Sequence, residues 1–137
     1  MLEKMRNTPV TELMHRNVKF IKEHVSLLDA VKKMQEFHVS SLIVESADRS
    51  EGFGIITRKD LINKVLDAEP GDQFVLVKDI MSRPIITVPP TMSVLASVKL
   101  MKRCNVRRVP VFDGREIVGI LSNSDIFRRF YPAPGVD

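Results

Sequence analysis

A chain that matches itself at a fixed offset has to build the same unit twice, and that constraint comes before any local feature. Shifting this sequence by 67 residues lays Val10 to Val44 on Val77 to Val111 without a gap. Val10-Thr11-Glu12-Leu13-Met14 meets Val77-Lys78-Asp79-Ile80-Met81, Ser26 meets Ser93, Val31-Lys32 meets Val98-Lys99, and Met34 meets Met101. Beyond that stretch the offset falls to 65, and Gly54-Ile55-Ile56-Thr57-Arg58-Lys59-Asp60-Leu61 lies on Gly119-Ile120-Leu121-Ser122-Asn123-Ser124-Asp125-Ile126.

Each copy resolves into the same elements. Val18 to Ile21 and Ile85 to Val88 read as short strands, the second fenced by Pro84 and Pro89-Pro90, which cannot lie inside a helix. Ser26 and Ser93 stand where N-caps belong. The apolar positions after them, Leu27, Ala30, Val31, Met34 and Phe37 in one copy and Val94, Val98, Met101 and Cys104 in the other, predict one buried helix face. Two strands follow in each copy: Ser41 to Val44 and Phe53 to Ile56, then Val109 to Phe112 and Ile117 to Leu121. The second pair turns at Asp113-Gly114, where glycine accepts the positive φ of a tight hairpin; the first turns through the looser Ala47 to Gly52. A second helix is expected from about Lys59 to Asp67 and from about Ser124 to Phe130.

The predicted fold class is therefore α+β, two tandem β-α-β-β-α repeats. Residues 1–9 form an N-terminal arm, 10–67 the first repeat, 68–76 a linker carrying Pro70-Gly71, 77–130 the second repeat and 131–137 a tail. A half of about 60 residues buries too little surface to be comfortable alone. The copies are thus expected to pack about a pseudo-twofold axis, with equivalent clefts where they meet.

Composition narrows the function. The 137 residues are 44% hydrophobic and 28% charged, which suits a folded core rather than disorder. No stretch has the roughly 20 apolar residues of a membrane span and the start has no signal-peptide core, so the chain reads as cytoplasmic. Its single cysteine, Cys104, has no partner for a disulfide and reads as a buried thiol on a helix face. Lys plus Arg exceed Asp plus Glu by 21 − 17 = 4, but the basic residues are scattered, which speaks against nucleic acid. His15, His24 and His38 lack metal-ligand spacing, and no acid–base pair or activated nucleophile assembles, so neither a metal nor a catalytic site is expected.

The ordered, repeated set of motifs resembles the cystathionine β-synthase-type domain, which occurs in tandem pairs called Bateman modules. The resemblance rests on the two openings ending in Met14 and Met81, on Pro84-Ile85-Ile86-Thr87-Val88 leading to Ser93, on Val106-Arg107-Arg108-Val109-Pro110-Val111, and on Gly-apolar-apolar-Thr/Ser-x-x-Asp in both copies. It implies a regulatory module rather than an enzyme, one that binds adenosyl compounds (AMP, ADP, ATP or S-adenosylmethionine). It also implies a homodimer and a regulated protein on a separate chain.

In similar proteins the Asp of the last motif binds the ribose hydroxyls and the Thr or Ser three residues earlier contacts the ribose or phosphate region. Those positions here are Asp60 with Thr57 and Asp125 with Ser122. The chemistry agrees, since a carboxylate accepts two hydrogen bonds from adjacent hydroxyls and a helix N-terminus favours a phosphate. The same spacing is also that of a helix capping box, and the two roles are compatible.

Arg107 and Arg108 occupy the place from which similar proteins reach nucleotide phosphates, with Arg108 the better placed; a solvated charged edge is the bland alternative. The first copy has Ser40 and Ser41 there, and Ile43 in place of Pro110. On this reading Ser41 and Pro110 line the two sites, and the one with Arg108 holds charged nucleotides better. The rival readings are a ligand-free dimerisation scaffold and, further off, a nucleic-acid binder whose affinity would fall steeply with salt.

Overall fold

Two serines and two left-handed residues delimit the longest helices. The structure is a computed structural model that describes residues 1–48, 51–67, 69 and 74–131. Ser26 Oγ accepts the Asp29 amide (3.1 Å) and starts α3, Leu27–Phe37. Ser93 Oγ accepts the Ala96 amide (3.1 Å) and starts α6, Val94–Cys104. Both helices stop where the chain turns into the left-handed region, at His38 (φ 54°) and Asn105 (φ 56°).

The chain forms two compact units, and each is stitched from both repeats. Residues 19–85 make the three-stranded unit. Its sheet has the order β1 (Phe20–Lys22), β2 (Ser41–Glu45), β3 (Gly54–Thr57), with β1 parallel and β3 antiparallel to β2. In the central strand Leu42, Ile43 and Val44 expose no surface, as expected of a run without polar alternation. α3, α4 (Arg58–Leu66) and the single-turn α5 (Val77–Ile80) complete this unit. Its core is Ile21, Ala30, Met34, Leu42, Val44, Ile56, Leu61 and Val77.

Residues 1–18 and 86–137 make the two-stranded unit. Here β4 (Arg108–Phe112) pairs antiparallel with β5 (Ile117–Ser122), and α1 (Leu2–Asn7), α2 (Val10–Leu13), α6 and α7 (Asn123–Phe130) pack around them. The core gathers Met5, Val10 and Met14 with Val94, Met101, Val109, Val111, Leu121 and Ile126. The segment at 1–9 thus contributes a helix whose Met5 is 5% exposed and packed in this core.

The opening of each repeat lies in the unit built on the other repeat's hairpin. Met14 and His15 meet Gly119 and Ile120 through an antiparallel bridge (His15 N to Ile120 O, 3.0 Å), while Met81 and Ser82 meet Gly54 and Ile55 likewise (Ile55 N to Ser82 O, 2.9 Å). The two glycines permit this approach. A Cβ on Gly54 would stand 3.1 Å from the Ser82 carbonyl oxygen, and one on Gly119 3.1 Å from that of His15. The offsets in the sequence identify these residues as equivalents; the partners they take come from the packing.

Other details differ from the sequence reading. The strand expected at Ile85 to Val88 shrinks to a single parallel bridge between Val88 and Val111. Pro89 and Pro90 lack N–H donors to extend it, and so does Pro110 on the neighbouring strand. Phe37 is 37% exposed rather than in the core, with the Lys19 ammonium 4.6 Å from its ring centre. Cys104 is half-buried rather than enclosed. The Asp113-Gly114 turn forms as expected, with Gly114 at φ 100° and Asp113 Oδ1 accepting the amides of Arg115 and Glu116 at 2.8 and 2.9 Å. Those amides hold the Asp113 carboxyl below its ordinary range. Most of the Pro70-Gly71 linker, part of the Ala47 to Gly52 turn and residues 132–137 of the tail lie outside the described residues.

Candidate functional site

The strongest chemistry sits where a β-strand feeds directly into a helix, once in each unit. In the three-stranded unit β3 ends at Thr57 and α4 begins at Arg58. The Thr57 amide donates to Asp60 Oδ2 (2.8 Å), and the Asp60 amide donates to Thr57 Oγ1 (3.2 Å). Strand register places Ser41 opposite Thr57, and the Arg58 amide donates to the Ser40 carbonyl at 2.9 Å. Ser41 is buried, while Thr57 and Asp60 are half-buried.

The two-stranded unit repeats the arrangement with extra bonds. The Ser122 amide and hydroxyl both donate to Asp125 Oδ2 (3.1 and 2.8 Å), and the Asp125 amide donates back to Ser122 Oγ (3.2 Å). Asp125 Oδ1 is taken by Arg128 Nη2 at 2.8 Å, one helical turn on. Arg108 stands opposite Ser122 in the ladder and is half-buried, whereas Arg107 is exposed and uses its carbonyl to accept the Asn123 amide (2.9 Å). Pro110 is buried and accepts the Val88 amide through its carbonyl (3.0 Å).

The capping reading and the binding reading therefore meet in the same atoms. Each Thr/Ser-x-x-Asp does close a reciprocal box on its helix start. Each also holds a carboxylate and a hydroxyl at a helix N-terminus, whose dipole favours negative ligand charge. Ser41, Thr57 and Asp60 come together in one unit, and Arg108, Ser122 and Asp125 in the other.

Three features escaped the sequence reading. Arg128 is visible in principle, because i,i+3 residues meet on a helix surface. A groove of about 690 Å³ runs between α3 and α4, lined by Val31, Met34, Gln35, His38, Arg58, Leu61 and Ile62. Third, Glu23 is bound by Arg83 (2.6 Å) and the Ser46 hydroxyl (3.0 Å), and Arg83 also meets Glu51 (3.2 Å). The Arg83 bond holds the Glu23 carboxyl below its ordinary value, and Ser46 adds to the effect. The long separation of these residues in the chain leaves no local sequence signal for this cluster.

Among the described residues no helix is long and apolar enough to cross a membrane, and no group of three or more His, Cys, Asp or Glu could hold a metal ion.

Comparison with known proteins fits this geometry. The CBS domain model matches residues 10–67 and 77–131. An uncharacterised protein of Methanopyrus kandleri is 34% identical over 125 residues, which are 90% of this chain and 63% of that protein. The crystal structure of a hexameric CBS-CP12 protein from bloom-forming cyanobacteria is 34% identical with a TM-score of 0.80, covering 87% of this chain and 66% of that one. A CBS domain pair in complex with 5′-methylthioadenosine and S-adenosyl-L-methionine is 26% identical with a TM-score of 0.74, covering 90% and 95%. The chain thus spans slightly less than two thirds of the Methanopyrus relative. With both repeats matched in order and the fold shared, the chain belongs to the CBS domain family, as a tandem pair.

Proposed function

We propose that this CBS pair is a regulatory module that binds an adenine nucleotide (AMP, ADP or ATP) and signals by a change of conformation or assembly, without catalysing a reaction. The observation that carries the reading is the paired carboxylate and hydroxyl at the starts of α4 and α7. On this reading Asp60 and Asp125 hold ribose hydroxyls, Thr57 and Ser122 meet the ribose or phosphate region, Ser41 and Pro110 line the sites, and Arg108 rather than exposed Arg107 faces phosphate. A related pair was crystallised with two adenosine compounds, which supports the ligand class. Guanidinium chemistry favours a phosphorylated ligand over S-adenosylmethionine.

Ligand bound to one conformation shifts the population toward it, and a regulated protein on a separate chain reads the shift. Self-association to a homodimer is supported by exposed Ile62 and Leu66 on α4 and by exposed Phe127 and Tyr131 at the corresponding places of the second repeat. An adenine nucleotide as ligand suits a cytoplasmic protein.

The test is thermal unfolding of the chain, stripped of bound ligand, against AMP, ADP, ATP, S-adenosylmethionine and GTP. A ligand at 100 times its dissociation constant stabilises the fold by about 2.7 kcal/mol, a readable rise in midpoint. A selective adenine shift, lost in the Asp60→Ala, Asp125→Ala double variant, is the expected result. A ligand-free scaffold is favoured by the fact that both boxes already satisfy their own helix starts, and it predicts no shift with any of these compounds.

A further inference from the structure

We infer that Arg128 occupies an acceptor of the Asp125 carboxylate that a ribose diol must win back, so that an adenosine ligand is taken first at Thr57 and Asp60; the inference rests on the nucleotide reading above. An ionised carboxylate has about four acceptor positions, two on each oxygen. At Asp125 both positions of Oδ2 are used by the amide and hydroxyl of Ser122, and Oδ1 carries the Arg128 guanidinium. One position remains, and a cis-diol needs two. At Asp60 the described bond uses Oδ2 alone, from the Thr57 amide, which leaves room for both hydroxyls of a ribose.

The hydroxyls differ in the same direction. Ser122 Oγ both accepts from the Asp125 amide and donates to its carboxylate, so its proton is spent. Thr57 Oγ1 accepts from the Asp60 amide, and its described bonds leave the proton to a ligand oxygen.

The cause is one position in the repeat. Offset by 65, the counterpart of Arg128 is Asn63, exposed and neutral, three residues after Asp60. The Asp125 side chain is only 15% exposed and that of Arg128 74%, so their bond is charge-assisted but open to water on the Arg128 side. A diol must displace that guanidinium before it can bind in two-point fashion. Arg128 is therefore a specificity-determining residue for the order in which the two sites fill.

The experiment is calorimetric titration of the full chain with AMP and with 2′-deoxy-AMP. Wild type is expected to take up one equivalent in its tighter phase. Asp60→Ala, and Asp60→Asn as the variant that keeps an acceptor for the helix start, weaken that phase about tenfold or more, while Asp125→Ala acts on the weaker phase. Arg128→Asn tightens the weaker site about two- to fivefold, and 2′-deoxy-AMP loses that gain.

Loss of the tight phase in Asp125→Ala but not in Asp60→Ala overturns the inference and leaves the nucleotide reading standing. So does an Arg128→Asn variant with unchanged sites, or one that weakens AMP while sparing adenosine, which would make Arg128 a phosphate contact. Absence of heat from every adenosine compound, in folded wild type and folded Arg128→Asn alike, overturns both.

Discussion

In the unit of residues 19–85, Asp60 steadies its helix start through one oxygen and keeps acceptor capacity in reserve. In the unit of residues 1–18 and 86–137, Asp125 satisfies the same helix start and is then drawn into a second bond by Arg128. The two motifs were aligned by sequence and are aligned again by fold, yet their chemistry has separated through neighbours that the motif does not include. Repetition preserved the scaffold of a site, while single positions around it, Arg128 for Asn63 and Arg108 for Ser41, changed what each copy offers to a ligand.

The same divergence runs through the packing. Around Gly119, an added Cβ would overlap the Sδ of buried Met14 and lie 2.8 Å from its Cγ, whereas at Gly54 it meets the Sδ of half-buried Met81 at 2.9 Å. Met14 has little room to withdraw and Met81 has more. Gly119→Ala is expected to cost about 1–3 kcal/mol and Gly54→Ala clearly less, read by urea unfolding. Equal losses would remove the packing half of the comparison.

A smaller effect separates the units by pH. Glu23, Arg83 and Ser46 form their cluster only in the three-stranded unit. The residues aligned with them are Pro90, exposed Arg16, and Asp113, whose carboxylate is occupied by its own turn. Arg83, with help from Ser46 and the neighbouring His24, lowers the folded pKa of Glu23 from 4.5, against which Glu51 stands as the other nearby acid. A depressed carboxyl pKa contributes stability above the unfolded value and loses it as pH falls through the folded value. Amide protection, corrected for the intrinsic exchange rate at each pH, should therefore fall at Lys78, which donates to the Glu23 carbonyl, and at neighbouring Met81 as pH drops below 4.5, before protection in β4 and β5 does. Glu23→Gln should abolish the difference, and uniform loss of protection in both units would contradict it.

How far the sequence reached is clear from particular residues. Ser26, Ser93, Gly114 and the strand-to-helix junctions were legible because capping and turn chemistry are local. Ile85 to Val88 failed as a strand because pairing needs donors from both sides, and prolines occupy both. Phe37 fitted the apolar stripe, but a periodicity argument takes no account of Lys19, which shares the surface with it. The exchange of openings between units lay beyond reach, since an offset of 67 identifies Met14 with Met81 without saying which glycine either one meets. At the candidate site, Thr57, Asp60, Ser122 and Asp125 could be named through the family resemblance, their spacing alone fitting a capping box as well; which of their lone pairs stay open is a property of three-dimensional neighbours.

The most direct test of the account is to follow backbone amide resonances while AMP is added in sub-stoichiometric steps. The account predicts that Thr57, Arg58 and Asp60 shift first and that Ser122, Asn123 and Asp125 follow only at higher ligand. Movement of the Ser122 to Asp125 group first, or no movement at either helix start, would contradict it.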